Sequence, residues 1–141
     1  MKRVVMESPL AGHVTENVRY GLRCLLDCFR RHEAPFAGHL LYAQPGVLND
    51  TIPEERELGM VASAAWDHAA ELAVVYVDRG AAGMIRGVVR HRRHGIVIEC
   101  RRLDGPGAPA VVDAEDYLCT CAGGPPSACL MHADPWTLTT G

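Results

Sequence analysis

No apolar run in this chain approaches the ~18 residues that a membrane span needs, so no membrane partner is expected. No secretory leader is expected at the start either: Met1-Lys2-Arg3-Val4-Val5-Met6-Glu7 carries two basic residues but no apolar core region. A strong charge of one sign is also lacking. Net charge is −3, which argues against a general nucleic-acid binder. Lys and Arg stop at Arg102, while Asp104, Asp113, Glu115, Asp116 and Asp134 follow, so a slightly basic body leads into an acidic tail whose simplest explanation is solvation. No internal repeat is visible. A cytoplasmic location is expected, and six cysteines there are expected as reduced thiols rather than a disulfide framework.

What is present is one domain's worth of chain, 141 residues at 48% hydrophobic and 22% charged, long enough for a core without metal or disulfide staples. Residues 3–6 form a short apolar strand, and Glu7-Ser8-Pro9-Leu10-Ala11-Gly12 breaks it with a loop. Thr15 is placed to cap a helix, in which Val18, Leu22, Leu25, Leu26 and Phe29 recur at helical spacing and are expected to face inward. Residues 34–42 are the second strand region, with His39 inside it. Thr51-Ile52-Pro53-Glu54 has capping-box spacing and opens a helix reaching about Glu71, with Leu58, Val61, Ala65 and Trp66 inward.

The stretch Leu72-Ala73-Val74-Val75-Tyr76-Val77-Asp78-Arg79-Gly80-Ala81-Ala82-Gly83-Met84 organises the rest: a buried strand, a carboxylate at its end, a small-residue turn, a helix. That helix spans Gly83–His94 with Met84, Val88 and Val89 inside, and residues 96–100 form a fourth strand. The order β-α-β-α-β-α-β predicts an α/β fold, a flavodoxin-like doubly wound parallel sheet in order 2-1-3-4, with the first and third strands adjacent at the switch point. Open sheets of this kind bind ligands at that point, beyond the carboxyl ends of the strands. Residues 1–103 are therefore the α/β domain. Residues 104–141 are a Gly/Pro-rich, Cys-containing extension, irregular in pattern, that either packs on the body or hangs loose.

The segments Glu-Ser-Pro-Leu-Ala-Gly, Ala-Pro-Phe-Ala-Gly-His-Leu-Leu-Tyr and Pro-Glu-Glu-Arg-Glu-Leu-Gly, at residues 7–12, 34–42 and 53–59, resemble the signature of a set of small phage and actinobacterial proteins of unassigned function. With the Val-Val-Tyr-Val-Asp strand and the following Gly turn, the chain also resembles the nucleoside 2-deoxyribosyltransferase-like superfamily over residues 3–103. That likeness implies a Glu nucleophile in a Gly-Met-Glu-Leu-Gly turn-to-helix element, attacking an anomeric carbon. Here the element reads Gly83-Met84-Ile85-Arg86-Gly87, and Ile85 has no ionisable group. Asp78 fits the family's Asp ahead of that turn, one residue further away; a second family Asp has no clear counterpart, Asp67 being nearest.

Each candidate has a functional and a bland explanation. Asp78 either binds ribose hydroxyls or acts as a base, or else caps its own turn. Glu7, with Ser8, Pro9, Leu10 and Gly12, either covers a sugar or phosphate or makes a tight connection. Gly80, Gly83 and Met84 form the turn against such a ligand. His39 is either a ligand contact or a satisfied strand residue. Asn49, Asp50 and Glu57 form either a lid or a solvated face. Cys119, Cys121, Cys129 and His132 supply four soft ligands, but Cys-x-Cys-x7-Cys-x2-His matches no standard knuckle, so zinc is not expected to be required. Cys24 and Cys28 are expected as small core residues.

Two functions follow. The missing Glu favours a binding protein for a nucleotide or nucleoside derivative, without cofactor, with homo-oligomerisation left open. The alternative is an N-glycosidic hydrolase or deoxyribosyltransferase in which Asp78 or Glu7 takes over as the catalytic carboxylate.

Overall fold

The computed structural model describes residues 1–121 and 123–139; Ala122, Thr140 and Gly141 lie outside the described residues. Five strands, β1 (Lys2–Glu7), β2 (Glu33–Phe36), β3 (Leu72–Tyr76), β4 (Ile98–Arg102) and β5 (Ala110–Val112), form one sheet in the order β2-β1-β3-β4-β5. The first four run parallel and β5 is antiparallel to β4. The helices are α1 (Val14–Arg30), α2 (Gly38–Tyr42), α3 (Pro53–Trp66), α4 (Ile85–Arg93) and α5 (Ala114–Leu118). Among the described residues no helix is long and apolar enough to cross a membrane.

The period-2 alternation of the strands divides the core in two. Val4 and Met6 of β1 and Leu72, Val74 and Tyr76 of β3 pack with Tyr20, Cys24 and Cys28 of α1. The other side of β3, with Val75 and the following Val77, packs with Met84, Val88 and Val89 around α4, and with Cys100, Leu118 and Leu130. Of the two expectations for the extension, packed or loose, the structure shows it packed: it supplies β5, and Leu118, Cys129, Leu130 and Ala133 are buried.

Helix α1 corrects the expected orientation in part: Val18 and Leu25 pack, half-buried, against the core, but the other apolar residues expected inward do not. Leu22, Leu26 and Phe29 are 48–56% exposed, while Asn17, Tyr20, Gly21, Cys24, Asp27 and Cys28 face the body. Close approach is the cause: a Cβ on Gly21 would lie 2.9 Å from Leu40 Cδ1 and 3.2 Å from Ser8 Oγ. The polar members have specific partners. Asp27 accepts hydrogen bonds from the Tyr76 hydroxyl (2.8 Å) and Arg31 Nε (2.9 Å). Beside them Arg101, only 2% exposed, donates to both oxygens of Glu33 at 2.7 and 2.6 Å.

Helix α3 is corrected likewise. None of its residues is buried, and Leu58, Val61 and Trp66 are exposed. Its inner face, with Arg56, Gly59, Met60 and Ser63, borders a cleft instead of a core. The Thr51 capping box does not form; Ile52 takes the cap position without a side-chain bond, and Thr51 instead donates from its amide and hydroxyl to Asn49 Oδ1. His39 lies in α2 rather than in a strand, because β2 stops at Phe36. The fourth strand sits two residues later than expected, at Ile98–Arg102.

Candidate functional site

The cleft holds about 430 Å³ and opens beyond the carboxyl ends of β1 and β3. One wall is the loop Glu7–Ala11 after β1; another is the segment Ala82–Gly87, which enters α4; α2, α3 and Asp50 close the far side, and Thr139 of the extension reaches its edge. Because β1 has β2 on one side and β3 on the other, the connections leaving β1 and β3 separate here and leave room between them.

Ser8 is 4% exposed and shares a 2.7 Å hydrogen bond between its Oγ and Nε2 of His39. Burial pulls the His39 pKa below its usual value, outweighing the nearby charges of Glu7 and Asp50, so the imidazole is held neutral. Glu7 enters the other side. His91 Nε2 lies 2.8 Å and Arg90 Nη2 3.4 Å from its Oε1. Burial pushes its pKa up, but His91, His39 and Arg90 outweigh that and hold the carboxylate below its ordinary range. His91, wholly buried, has its Nδ1 3.4 Å from Asp67 Oδ2. Burial lowers the His91 pKa, yet the two flanking carboxylates raise it overall. Asp67 is gripped in turn by Arg90 Nε (2.8 Å) and lies 2.9 Å from His94 Nδ1; His91 and then Arg90 outweigh its burial and keep it well below the usual carboxylate range. Glu7 therefore stands ionised on a charged frame that reaches from β1 through α4 to the end of α3.

Gly87 makes this possible. A Cβ there would lie 2.7 Å from the Glu7 carboxylate, so a larger residue at 87 requires that carboxylate, held by His91 and Arg90, to shift. Arg56, Arg86 and Arg90 add three cations to the lining, with Arg86 paired to Glu57 at 3.0 Å. The first residues of α4 face the same space, where helix N–H groups favour an anion.

Of the residues singled out from sequence, Glu7, Ser8, Pro9, Leu10, His39, Gly83 and Met84 line the cleft, as do Ile85 and Asp50. Gly12 and Gly80 do not; with φ of +94° and +79° they shape turns. Asp78 is placed elsewhere. It lies outside the cleft lining, with Oδ2 accepting from the Tyr20 hydroxyl (2.5 Å) and the Leu103 amide (2.8 Å), and Oδ1 from the Asp104 amide (2.9 Å). It ties α1 to the chain leaving β4, a structural role distinct from capping its own turn. Sequence reasoning missed Arg56, Ser63, Gly87, His91 and the cation role of Arg90. The interior helical Gly87 was the available signal, since such a glycine marks a close approach.

Away from the cleft, the extension brings Cys119, Cys121, Cys129 and His132 together, each offering a ligand atom within 4.8 Å of the others.

Among curated proteins none matches the chain. A family model described as a domain of unknown function, DUF7768, matches residues 2–101, which contain β1 to β3, all but the last residue of β4 and nearly all of the cleft, and the chain belongs to that family.

Proposed function

We propose that this protein binds a nucleotide or nucleoside derivative in the cleft between β1 and β3. The observation that carries this reading is convergence: the part-buried Ser8–His39 pair, the ionised Glu7, and Arg56, Arg86 and Arg90 line one cleft that the start of α4 also borders. Hydroxyl, imidazole and carboxylate groups suit a sugar, and arginines at a helix start suit a phosphate. The volume fits a ligand of nucleotide size. The finer fold we assign is flavodoxin-like and doubly wound. The strand order and the Gly83–Gly87 turn support kinship with nucleoside 2-deoxyribosyltransferases, with Ile85 standing in the cleft at the nucleophile position and binding replacing their chemistry.

Titration of purified protein with a panel of nucleosides and nucleotides, by calorimetry and by assay for free base, tests the proposal. A phosphorylated ligand should bind without base release, and Arg86→Ala should weaken it roughly ten- to a hundredfold, the value of a lost charged hydrogen bond. Asp78→Asn should leave affinity unchanged. No binding across the panel, or binding indifferent to Arg86→Ala and Arg56→Ala, sinks the proposal. Ile85→Glu restores a carboxylate at the nucleophile position, and base release gained by that variant supports the kinship.

One observation favours the enzymatic alternative. Glu7 and the Ser8–His39 pair face one space, as a carboxylate and a proton-transferring pair acting on an N-glycosidic bond would require. Under that reading the wild type releases base, and Glu7→Gln abolishes the release.

A further inference from the structure

We propose that Cys119, Cys121, Cys129 and His132 bind one zinc ion that fastens the extension to the sheet. Tetrahedral zinc with Zn–S of about 2.3 Å and Zn–N of about 2.0–2.1 Å sets ligand separations of about 3.8 Å between sulfurs and about 3.6 Å from sulfur to nitrogen. The Sγ atoms of Cys129 and Cys119 are 3.8 Å apart, and His132 Nδ1 lies 3.0, 3.4 and 3.7 Å from the sulfurs of Cys121, Cys129 and Cys119. A disulfide would hold two sulfurs at about 2.05 Å; here all three thiols are free. Three soft thiolates with one imidazole are a zinc set, and four protein ligands leave no open position, which makes the site structural.

The surroundings are those of metal ligands. The Thr120 and Met131 amides donate to Cys129 Sγ at 3.2 and 3.4 Å, and the Cys121 amide to Cys119 Sγ at 3.5 Å. His132 turns Nδ1 to the sulfurs and Nε2 to Glu115 Oε1 at 2.8 Å, the carboxylate–histidine arrangement that orients a metal-bound ring. The spacing argued against zinc only because it counts residues along the chain. The fold supplies what spacing cannot, bringing the ends of α5 and of the loop after it face to face.

The site has a task. Between Cys119 and His132 the chain carries little core of its own, yet Leu118, Cys129 and Leu130 are buried against the α4 side of the sheet. Arg92 Nη1 donates to the Leu130 carbonyl, and Arg93 to those of Pro135 and Leu138, each at 2.8 Å. Zinc fixes the loop that makes the Leu130 contact, and the chain beyond it supplies the Pro135 and Leu138 carbonyls and runs on to Thr139 at the cleft edge. The inference does not depend on what the cleft binds.

Metal analysis of full-length protein from zinc-supplemented culture, cobalt substitution and chelation provide the test. Stoichiometric zinc is expected, with an intense visible absorption of tetrahedral thiolate coordination on cobalt exchange. Cys121→Ser and His132→Ala should each abolish stoichiometric retention, whereas Glu115→Gln should keep the zinc but bind it 10–100-fold more weakly. If Cys121→Ser fails to fold, chelation of the wild type decides: removing zinc should lower the melting temperature, and zinc alone should restore it. Folded protein without zinc and without a cobalt band, zinc retained by both ligand variants, a melting temperature indifferent to chelation, or a Cys119–Cys129 disulfide would each overturn the proposal.

Discussion

Two buried charge clusters carry much of the specificity of this fold, and they differ in how they respond to perturbation. Arg101 and Glu33 form a two-pronged pair beneath α1, almost out of water, with Glu99 a further partner at 2.7 Å. Removing one member leaves the other charged and unpaired, so Arg101→Met should cost about 3–5 kcal/mol in chemical denaturation. The double variant Arg101→Met/Glu33→Leu should recover most of that loss, and a double variant as unstable as the single would contradict the argument. The second cluster titrates. His91 has a raised pKa, so its contribution is complete below the ordinary 6.5 and is lost as pH rises through the raised value. Glu7 and Asp67 have lowered values, so theirs is present above the ordinary 4.5 and 3.8 and is lost as pH falls. The stability difference between wild type and His91→Gln should therefore be largest between pH 4.5 and 6.5 and shrink on the alkaline side. Unfolding curves inside that window and well above it check the sign, and a difference that grows with pH refutes it.

At the scale of elements, what the sequence made legible were the parts whose signal is local. The β-branched strands β1 and β3, the helical stretches and the parallel neighbours β1 and β3 follow from pattern and connection length. The facing of α1 did not. Its leucines obey helical spacing, but the sheet side is chosen by Gly21, by the cysteines, and by partners of Tyr20 and Asp27 that lie far along the chain. Helix α3 misled for a related reason, since its inner face borders a cleft. Half of the site was readable, because Glu7 to Leu10 follow a strand end. Asp78 lies away from the cleft lining, and nothing local reveals that the Leu103 and Asp104 amides take up its carboxylate. Two substitutions separate pattern from packing. Leu22→Gln should change stability by no more than about 0.5 kcal/mol, as at an exposed site. Gly87→Ala should destabilise by about 1–3 kcal/mol through overpacking against Glu7, reversing the gain of about 1 kcal/mol that helix propensity alone assigns to alanine. Denaturant midpoints settle both, and a stabilised Gly87→Ala would show that Glu7 moves aside freely.

For the molecule as a whole, the question is whether residues 1–103 form a self-sufficient body. The extension adds a fifth strand to the edge of β4 and lays Leu118 and Leu130 on the core that contains Val88, Val89 and Cys100. Burying each leucine contributes about 1.5–3 kcal/mol, and the sheet edge at β4 is left unpaired without β5. Set against a typical stability of 5–15 kcal/mol, that loss consumes a large fraction. A chain ending at Leu103 would also lose Asp104, which accepts from Arg23 Nη2 at 2.5 Å and gives its amide to Asp78. The truncated chain should consequently unfold at a much lower temperature than the full-length protein, over a broader transition, and bind a dye that reports exposed apolar surface. A sharp thermal transition at the full-length midpoint would instead mean that the extension rests on a finished domain, and that the faces it covers are stable when bare.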